Sequence, residues 1–319
     1  MHVFVTGAAG FIGSHVCEAL VAAGHRVTGF DAYVDVPYPA AEKRAVGAEL
    51  GAAGIRVIEG DITDPAAVRE ALDESVDVVV HLAALAGVRP SLVQPIRYAR
   101  INVEGTAIIV ERMRELRKQR LVFASSSSVY GAKPGTEVAA FTEADPCLTP
   151  ASPYAATKRM NELQLYACRE VFGLGVLALR FFTVYGPRQR SDMAIAKFTK
   201  AIARGLPLTM FGDGSSRRDY TYVNDVVAGV VAATERVVPG AYEIINLGGT
   251  QTLSLADLIA LIEQTVGRKA ILDREPDQLG DVPLTYANVD KARALLGYSP
   301  RIAPTVGVPR YWSWLEPRL

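Results

Sequence analysis

The stretch His2-Val3-Phe4-Val5-Thr6-Gly7-Ala8-Ala9-Gly10-Phe11-Ile12-Gly13 decides the fold. An apolar run of strand length meets three glycines, and an apolar helical pattern follows. Glycines permit a tight turn and let a pyrophosphate approach the backbone N–H groups at a helix N-terminus. The spacing is G-x-x-G-x-x-G, one residue longer than G-x-G-x-x-G. Alone, the run also reads as a glycine-rich turn. The strand before it and the helix after it favour the phosphate loop.

Outward from this loop, short apolar runs alternate with helical patterns. Strands are expected at 26–30, 56–59, 76–81 and 120–124, and helices near 13–23, 65–72 and 99–118. Continuous Val/Ile/Leu runs separated by helices predict an α/β fold with a parallel sheet covered on both faces. A further helix is expected over 153–172 and a strand over 175–181. After Gly186-Pro187 the pattern loosens into loops rich in Gly, Pro, Arg and Asp with short helices. We read a cofactor domain at 1–180 and a smaller substrate domain at 181–319, with part of 220–245 returning to the sheet.

Composition narrows the function. Of 319 residues half are apolar, enough for a substantial core. Lys+Arg and Asp+Glu both total 34, so net charge gives no argument for nucleic acid or a membrane surface as partner. Any anion must meet a local cluster of cations. Cys17, Cys147 and Cys168 are scattered, without zinc spacing, so no metal is expected and a reduced, cytoplasmic setting fits best. The N-terminus enters a strand pattern without a charged leader, so no secretory signal is expected. No apolar run is long enough to span a bilayer.

Asp31 ends the second strand, about 20 residues beyond the glycine loop, where a carboxylate accepts hydrogen bonds from the ribose hydroxyls of NAD and repels the 2′-phosphate of NADP. Gly60-Asp61-Ile62 follows the third strand at a place suited to adenine. His81-Leu82-Ala83-Ala84 follows the fourth and passes beside the cofactor; His81 itself reads as a buried, hydrogen-bonded strand-end histidine. Tyr154 and Lys158 lie four apart in Ser152-Pro153-Tyr154-Ala155-Ala156-Thr157-Lys158, hence on one helix face. A nearby cation favours the phenolate, which would make Tyr154 an acid/base. The same spacing also arises on solvated helices, and the run Ser125-Ser126-Ser127-Ser128 also reads as a turn or cap.

Together Thr6–Gly13, Asp31, Asp61-Ile62, His81–Ala84, Asn102, Ser125–Gly131, Tyr154–Lys158, Arg180–Arg190 and Phe211–Asp225 resemble the extended short-chain dehydrogenase/reductase family. The resemblance implies a Rossmann-type doubly wound parallel sheet holding NAD, and a smaller mixed α/β C-terminal domain for a nucleotide-sugar. Within the family, Arg180-Phe181-Phe182-Thr183-Val184-Tyr185-Gly186-Pro187-Arg188-Gln189-Arg190 is most similar to UDP-glucuronic acid 4-epimerases. That likeness implies C4 epimerisation of UDP-glucuronic acid to UDP-galacturonic acid through a transient 4-keto sugar, with NAD recycled.

The resemblance also implies roles. Tyr154, Lys158 and Ser126 would be catalytic: Tyr154 takes the O4 proton, Lys158 holds it as phenolate and binds the nicotinamide ribose, and Ser126 relays. Gly7, Gly10, Phe11, Ile12, Gly13, Asp31, Asp61, Ile62, Leu82, Ala83, Ala84 and Asn102 would bind NAD. Ser127 and Ser128 stand where related dehydratases carry Asp-Glu and decarboxylases a Glu, which disfavours both reactions. Thr183 and Arg190 would receive the sugar carboxylate, although a lone loop arginine is also commonly solvated. Thr209, Phe211, Arg218 and, more weakly, Arg89 would hold the UDP. An arginine usual near Gly280-Asp281 is replaced by Gln278, with Arg274 as a substitute. The next readings are a UDP-glucose/UDP-N-acetylhexosamine 4-epimerase, then a UDP-glucuronate decarboxylase, and, from another class, an inactive NAD-binding sensor. A homodimer through a four-helix bundle is implied, with Ile101, Ile108, Met113, Leu163 and Tyr166 facing either core or partner.

Overall fold

The computed structural model describes residues 1–131, 139–249, 251–276 and 284–319. Strands and helices alternate from the start: β1 His2–Thr6, α1 Phe11–Ala22, β2 Arg26–Asp31, α2 Ala40–Ala52, β3 Arg56–Glu59, α3 Pro65–Ala71 and β4 Val78–His81. Short helices α4 Val88–Val93 and α5 Pro95–Tyr98 lead through a wide π-helical turn, Ala99–Glu104, into α6 Gly105–Glu115. Then come β5 Arg120–Ser126, α7 Pro153–Phe172 and β6 Gly175–Phe181. The remaining elements are β7 Thr183–Tyr185, α8 Ala194–Arg204, β8 Pro207–Phe211, β9 Arg217–Tyr222, α9 Val223–Arg236, β10 Tyr242–Leu247, β11 Thr252–Ser254, α10 Leu255–Val266, β12 Ile271–Glu275, β13 Leu284–Thr285, α11 Asp290–Leu296 and α12 Pro304–Leu315.

The main sheet runs β10-β6-β5-β4-β1-β2-β3, all pairs parallel. This is the expected Rossmann-type order, and β10 is where the chain returns to the sheet. Side chains alternate between faces, so each strand feeds two cores. Val3, Val5, Val80, Val122 and Leu179 pack with α1 and α9. Phe4, Val79, Phe123 and Ala178 pack with α3, α6 and α7. The later residues form two smaller sheets, one with β9 paired to β7, β11 and β13, the other β8 with β12.

Three departures from the sequence reading have physical causes. Helix α2 is not among the expected elements because only Lys43 and Leu50 on it are buried, so it lacks an apolar stripe. The helix expected over 99–118 opens with the π-turn, whose wider ring places Asn102 inward. Strand β5 runs on to Ser126, since Ser125 and Ser126 pair in register with Arg180 and Phe181 of β6. Met113 is core, Ile101 and Ile108 pack against that core, and Leu163 and Tyr166 are exposed.

Candidate active site

The glycine loop delivers α1 end-on to a cleft of about 490 Å³. Gly7 turns at φ +71°, and a Cβ there would meet Ala83 N at 2.8 Å. A Cβ on Gly13 would lie 2.0 Å from the Gly7 carbonyl oxygen, so the helix fits its strand only without a side chain. No side chain caps α1 at Gly10, which leaves its first N–H groups for an anion. Asp31 accepts from Ala9 N at 3.0 Å and Tyr33 N at 2.9 Å. Burial raises its pKa against these donors and against Lys43. Asp61, Ile62, Leu82, Ala83 and Ala84 line the same cleft with Gly10, Phe11 and Ile12. These features fit a dinucleotide: a phosphate-sized approach at a helix end, with a carboxylate at the next strand end.

Lys158 and Tyr154 come off α7, whose start is fixed by Pro153 at its first turn and by the Ser152 hydroxyl accepting from Ala155 N. Tyr154 and Ser126 line the same cleft, and the Ser126 hydroxyl accepts from Ser128 N at 3.2 Å. Lys158 Nζ donates to Ala124 O at 2.7 Å and sits over the Phe123 ring. Burial pulls Lys158 down to about 7, opposed by Glu162. Burial also raises Tyr154, opposed by the Ser126 hydroxyl and by Arg190. The expected depression of the Tyr154 phenol by Lys158 is not seen in the protein by itself: burial raises the phenol, and the cation that opposes it is Arg190.

Ser127, Ser128, Thr183 and Arg190 line the cleft beside Tyr154. Arg190 is not a free cation: its guanidinium forms a two-point pair with Asp192 at 2.9 and 2.7 Å. Thr183 also lines a second cleft of about 990 Å³ with Arg89, Thr209, Phe211 and Arg218. There Arg89 stacks on the Phe211 ring at 4.9 Å. The residues expected for a substrate thus form one continuous path through Thr183.

Asn102 differs from expectation. It does not line the cleft. Its amide accepts from Leu85 N and donates to Leu85 O and to Thr157 Oγ1, so it ties the loop after β4 to α7. His81 is the buried strand-end histidine expected, held by Thr6 and Thr106 at 2.7 and 3.0 Å. Burial pulls it down to about 3, so it stays neutral. Arg274 lies exposed on β12, paired with Met210 between the second-cleft residues Thr209 and Phe211, but is not itself in either cleft lining. Gln278 and Gly280-Asp281 lie outside the described residues.

Sequence reading missed two cleft residues and a third, Tyr98, that packs against Tyr154. Tyr38 lines the cleft, its hydroxyl close to the start of α1 at Gly10. Lys43 donates to Val34 and Val36 carbonyls and lies over the Tyr38 ring. Tyr38 lies in the loop after β2 and Lys43 on the first turn of α2, a segment that folds back in a way no local spacing announces. Tyr98, edge-on to Tyr154 at 6.2 Å and bonded to Ala86 O, was hidden in a stretch read only as helix.

A model of the NAD dependent epimerase/dehydratase family matches residues 3–248. The chain belongs to that family. Within the family, a probable UDP-glucuronate 4-epimerase of Rhizobium meliloti (strain 1021) is 36% identical, the match covering 99% of this chain and 97% of the relative. The crystal structure of UDP-glucuronic acid 4-epimerase from Bacillus cereus, in complex with UDP-glucuronic acid and NAD, superposes with TM-score 0.93 at 35% identity over 100% of both chains. The UDP-glucose 4-epimerase of Thermus thermophilus, in complex with NAD, gives TM-score 0.90 at 29% identity, again over 100% of both chains. The family and the fold expected from the sequence both hold.

Proposed function

We propose that the protein interconverts UDP-glucuronic acid and UDP-galacturonic acid by NAD-dependent inversion at C4. The observation that carries this reading is the meeting of Tyr154, Lys158, Ser126, Thr183 and Arg190 in one cleft, next to a loop that fits a dinucleotide. The likeness to the Bacillus cereus enzyme, described with UDP-glucuronic acid and NAD, supports it. A secondary alcohol has no acidic C–H bond, so inversion goes through a ketone. NAD, held by the α1 N-terminus, Asp31 and the 61–62 and 82–84 loops, supplies the hydride acceptor and a positive charge.

The chain's own residues do the rest. Tyr154 takes the O4 proton and later returns it. Ser126, beside that phenol in the cleft, relays and aligns. Lys158 contributes its charge beneath Tyr154 while anchored on Ala124 O. Arg190 with Thr183 and the Ser127 and Ser128 hydroxyls receives the sugar carboxylate, with Asp192 fixing the guanidinium plane. Arg218, Arg89, Thr209 and Phe211 take the UDP end. On this reading residues 1–180 serve mainly the cofactor and 181–319 mainly the substrate, with β10 returned to the cofactor sheet.

The carboxylate site has a second task. A 4-keto uronate is a β-keto acid and loses CO₂ when its C5–C6 bond stands perpendicular to the carbonyl plane. Holding the carboxylate near that plane suppresses the loss.

A neutral UDP-hexose is the second reading. The Arg190–Asp192 pair favours it, because a neutralised arginine gives less attraction to a carboxylate. Incubation of the purified protein with UDP-glucuronate, without added NAD, followed by NMR, separates the cases. The 4-epimer supports the proposal, a pentose points to decarboxylation, and no change alongside turnover of UDP-glucose favours the neutral sugar.

The assembly we propose is a homodimer through α7 and the helices before α6, in a cytoplasmic setting. Exposed Leu92, Val93 and Ile96 lie on α4 and α5, which pack beside α7 and its exposed Met160 and Leu163. All three cysteines are free, and no helix among the described residues is long and apolar enough to cross a membrane. Light scattering at micromolar concentration tests the dimer; a monomer mass would reject it.

A further inference from the structure

Two successive residues at the end of β5 are bound to different turns of α7, and the third, Ser126, lines the cleft with Tyr154. Ala124 O accepts from Lys158 Nζ at 2.7 Å. Ser125 Oγ donates to Glu162 Oε1 at 2.7 Å. The Ser126 hydroxyl accepts from Ser128 N at 3.2 Å. Tyr154, Lys158 and Glu162 are spaced four apart, so they stack along one face of the helix. The reacting face is thus one end of a ladder whose far end is Glu162.

That far end is firmly built. Glu162 is fully buried, and Arg180, 1% exposed, meets its carboxylate at both oxygens, 2.8 Å each. Ser125 and Arg180 are register partners on adjacent strands. Residues paired in register point to the same face of a sheet, so both reach the one helix above them. Arg159 adds a bond to Glu162 Oε2 at 3.0 Å, and Arg180 lies over the Tyr130 ring at 4.6 Å. A buried pair this complete is seldom a net source of stability compared with apolar side chains, so its retention asks for another reason.

We propose that Glu162 is a positioning residue for the proton relay: clamped by Arg180, it locks the 124–126 end of β5 onto α7 and serves as the counter-charge of Lys158. The inference rests on the reading that Tyr154, Lys158 and Ser126 move the O4 proton. The charged and titratable groups facing Lys158 are Tyr154 and Glu162 on its own helix, His81 on β4 and, behind Glu162, Arg180 on β6. His81 stays neutral, so Glu162 is the negative group in this set. Its removal leaves Arg180 as an added positive charge, which drives the Lys158 ammonium to lose its proton at lower pH.

The test uses full-length protein with its NAD. In Glu162→Gln, kcat for UDP-glucuronate is expected to fall about tenfold or more at pH 8 with KM and NAD content retained. Nitrogen NMR of labelled lysines, assigned with Lys158→Met, is expected to place the Lys158 midpoint about one pH unit below wild type. Ser125→Ala removes the strand tether without touching charge, and is expected to lower kcat about threefold with no midpoint shift. An unmoved Lys158 midpoint in Glu162→Gln overturns the proposal. If that variant does not fold, Ser125→Ala decides, and an unchanged kcat overturns it. Absence of wild-type turnover on UDP-glucuronate would instead reject the substrate reading, while the lysine titration would still judge the counter-charge.

Discussion

The cleft around Tyr154 and the cleft around Arg218 share Thr183 but are built from different materials. The first is made of strand ends and the starts of long helices: Lys158 is 3% exposed, and Gly7, Gly13 and Ala83 touch through backbone. The second is lined by one face of α8 together with β8 and loops, with Thr209, Asp213 and Arg89 exposed at its rim. Chemistry that needs atoms held to a fraction of an ångström sits on the rigid part. Recognition of a long, charged nucleotide tolerates the looser part, where each contact is worth less. Loss of a group should therefore cost rate in the first cleft and affinity in the second.

Four variants probe that division. Tyr154→Phe should lower kcat by about 10²–10⁴ while NAD stays bound, read by product NMR and by cofactor released on denaturation. Retained turnover would remove Tyr154 from its role. Gly13→Ala should strip cofactor and cost about 3 kcal/mol of stability, because its Cβ meets the Gly7 carbonyl oxygen at 2.0 Å. An unchanged melting temperature would mean that the loop is softer than the comparison requires. At the seam, Thr183→Ala with Arg190→Ala should raise KM for UDP-glucuronate about 100-fold and release CO₂ with a 4-keto-pentose. A drop in rate without any decarboxylation would count against the carboxylate's second task. The smallest effect is expected for Arg218→Ala, about a tenfold rise in KM with kcat nearly kept and a marked dependence on salt. A kcat defect as large as that of Tyr154→Phe would erase the division between clefts.

What could be read from the sequence follows the same line. Gly7, Gly10, Gly13, Asp31 and the Tyr154/Lys158 pair are local patterns: spacing alone fixes where the backbone puts them. Glu162 lies four beyond Lys158, yet its meaning depends on Ser125 and Arg180 arriving in register from two strands, which is tertiary information. Tyr38 and Lys43 required knowing that the segment after β2 folds back over α1. The Arg190–Asp192 pair was different: the acid stands two residues away in plain sight, and a check for neighbouring counter-charges would have tempered the view of Arg190 as a free clamp.

The wide turn at Ala99–Glu104 can be regarded as a one-residue insertion kept in register by its neighbours. Each residue advances a helix by about 100°. Excising one residue there would let an ordinary helical ladder close, but everything on the α4–α5 side would swing round by that angle relative to α6. Asn102 would then let go of Leu85 and Thr157, and Tyr98 would leave the edge of Tyr154. A single codon's length thus sets the phase between the outer surface of the protein and the Tyr154 ring.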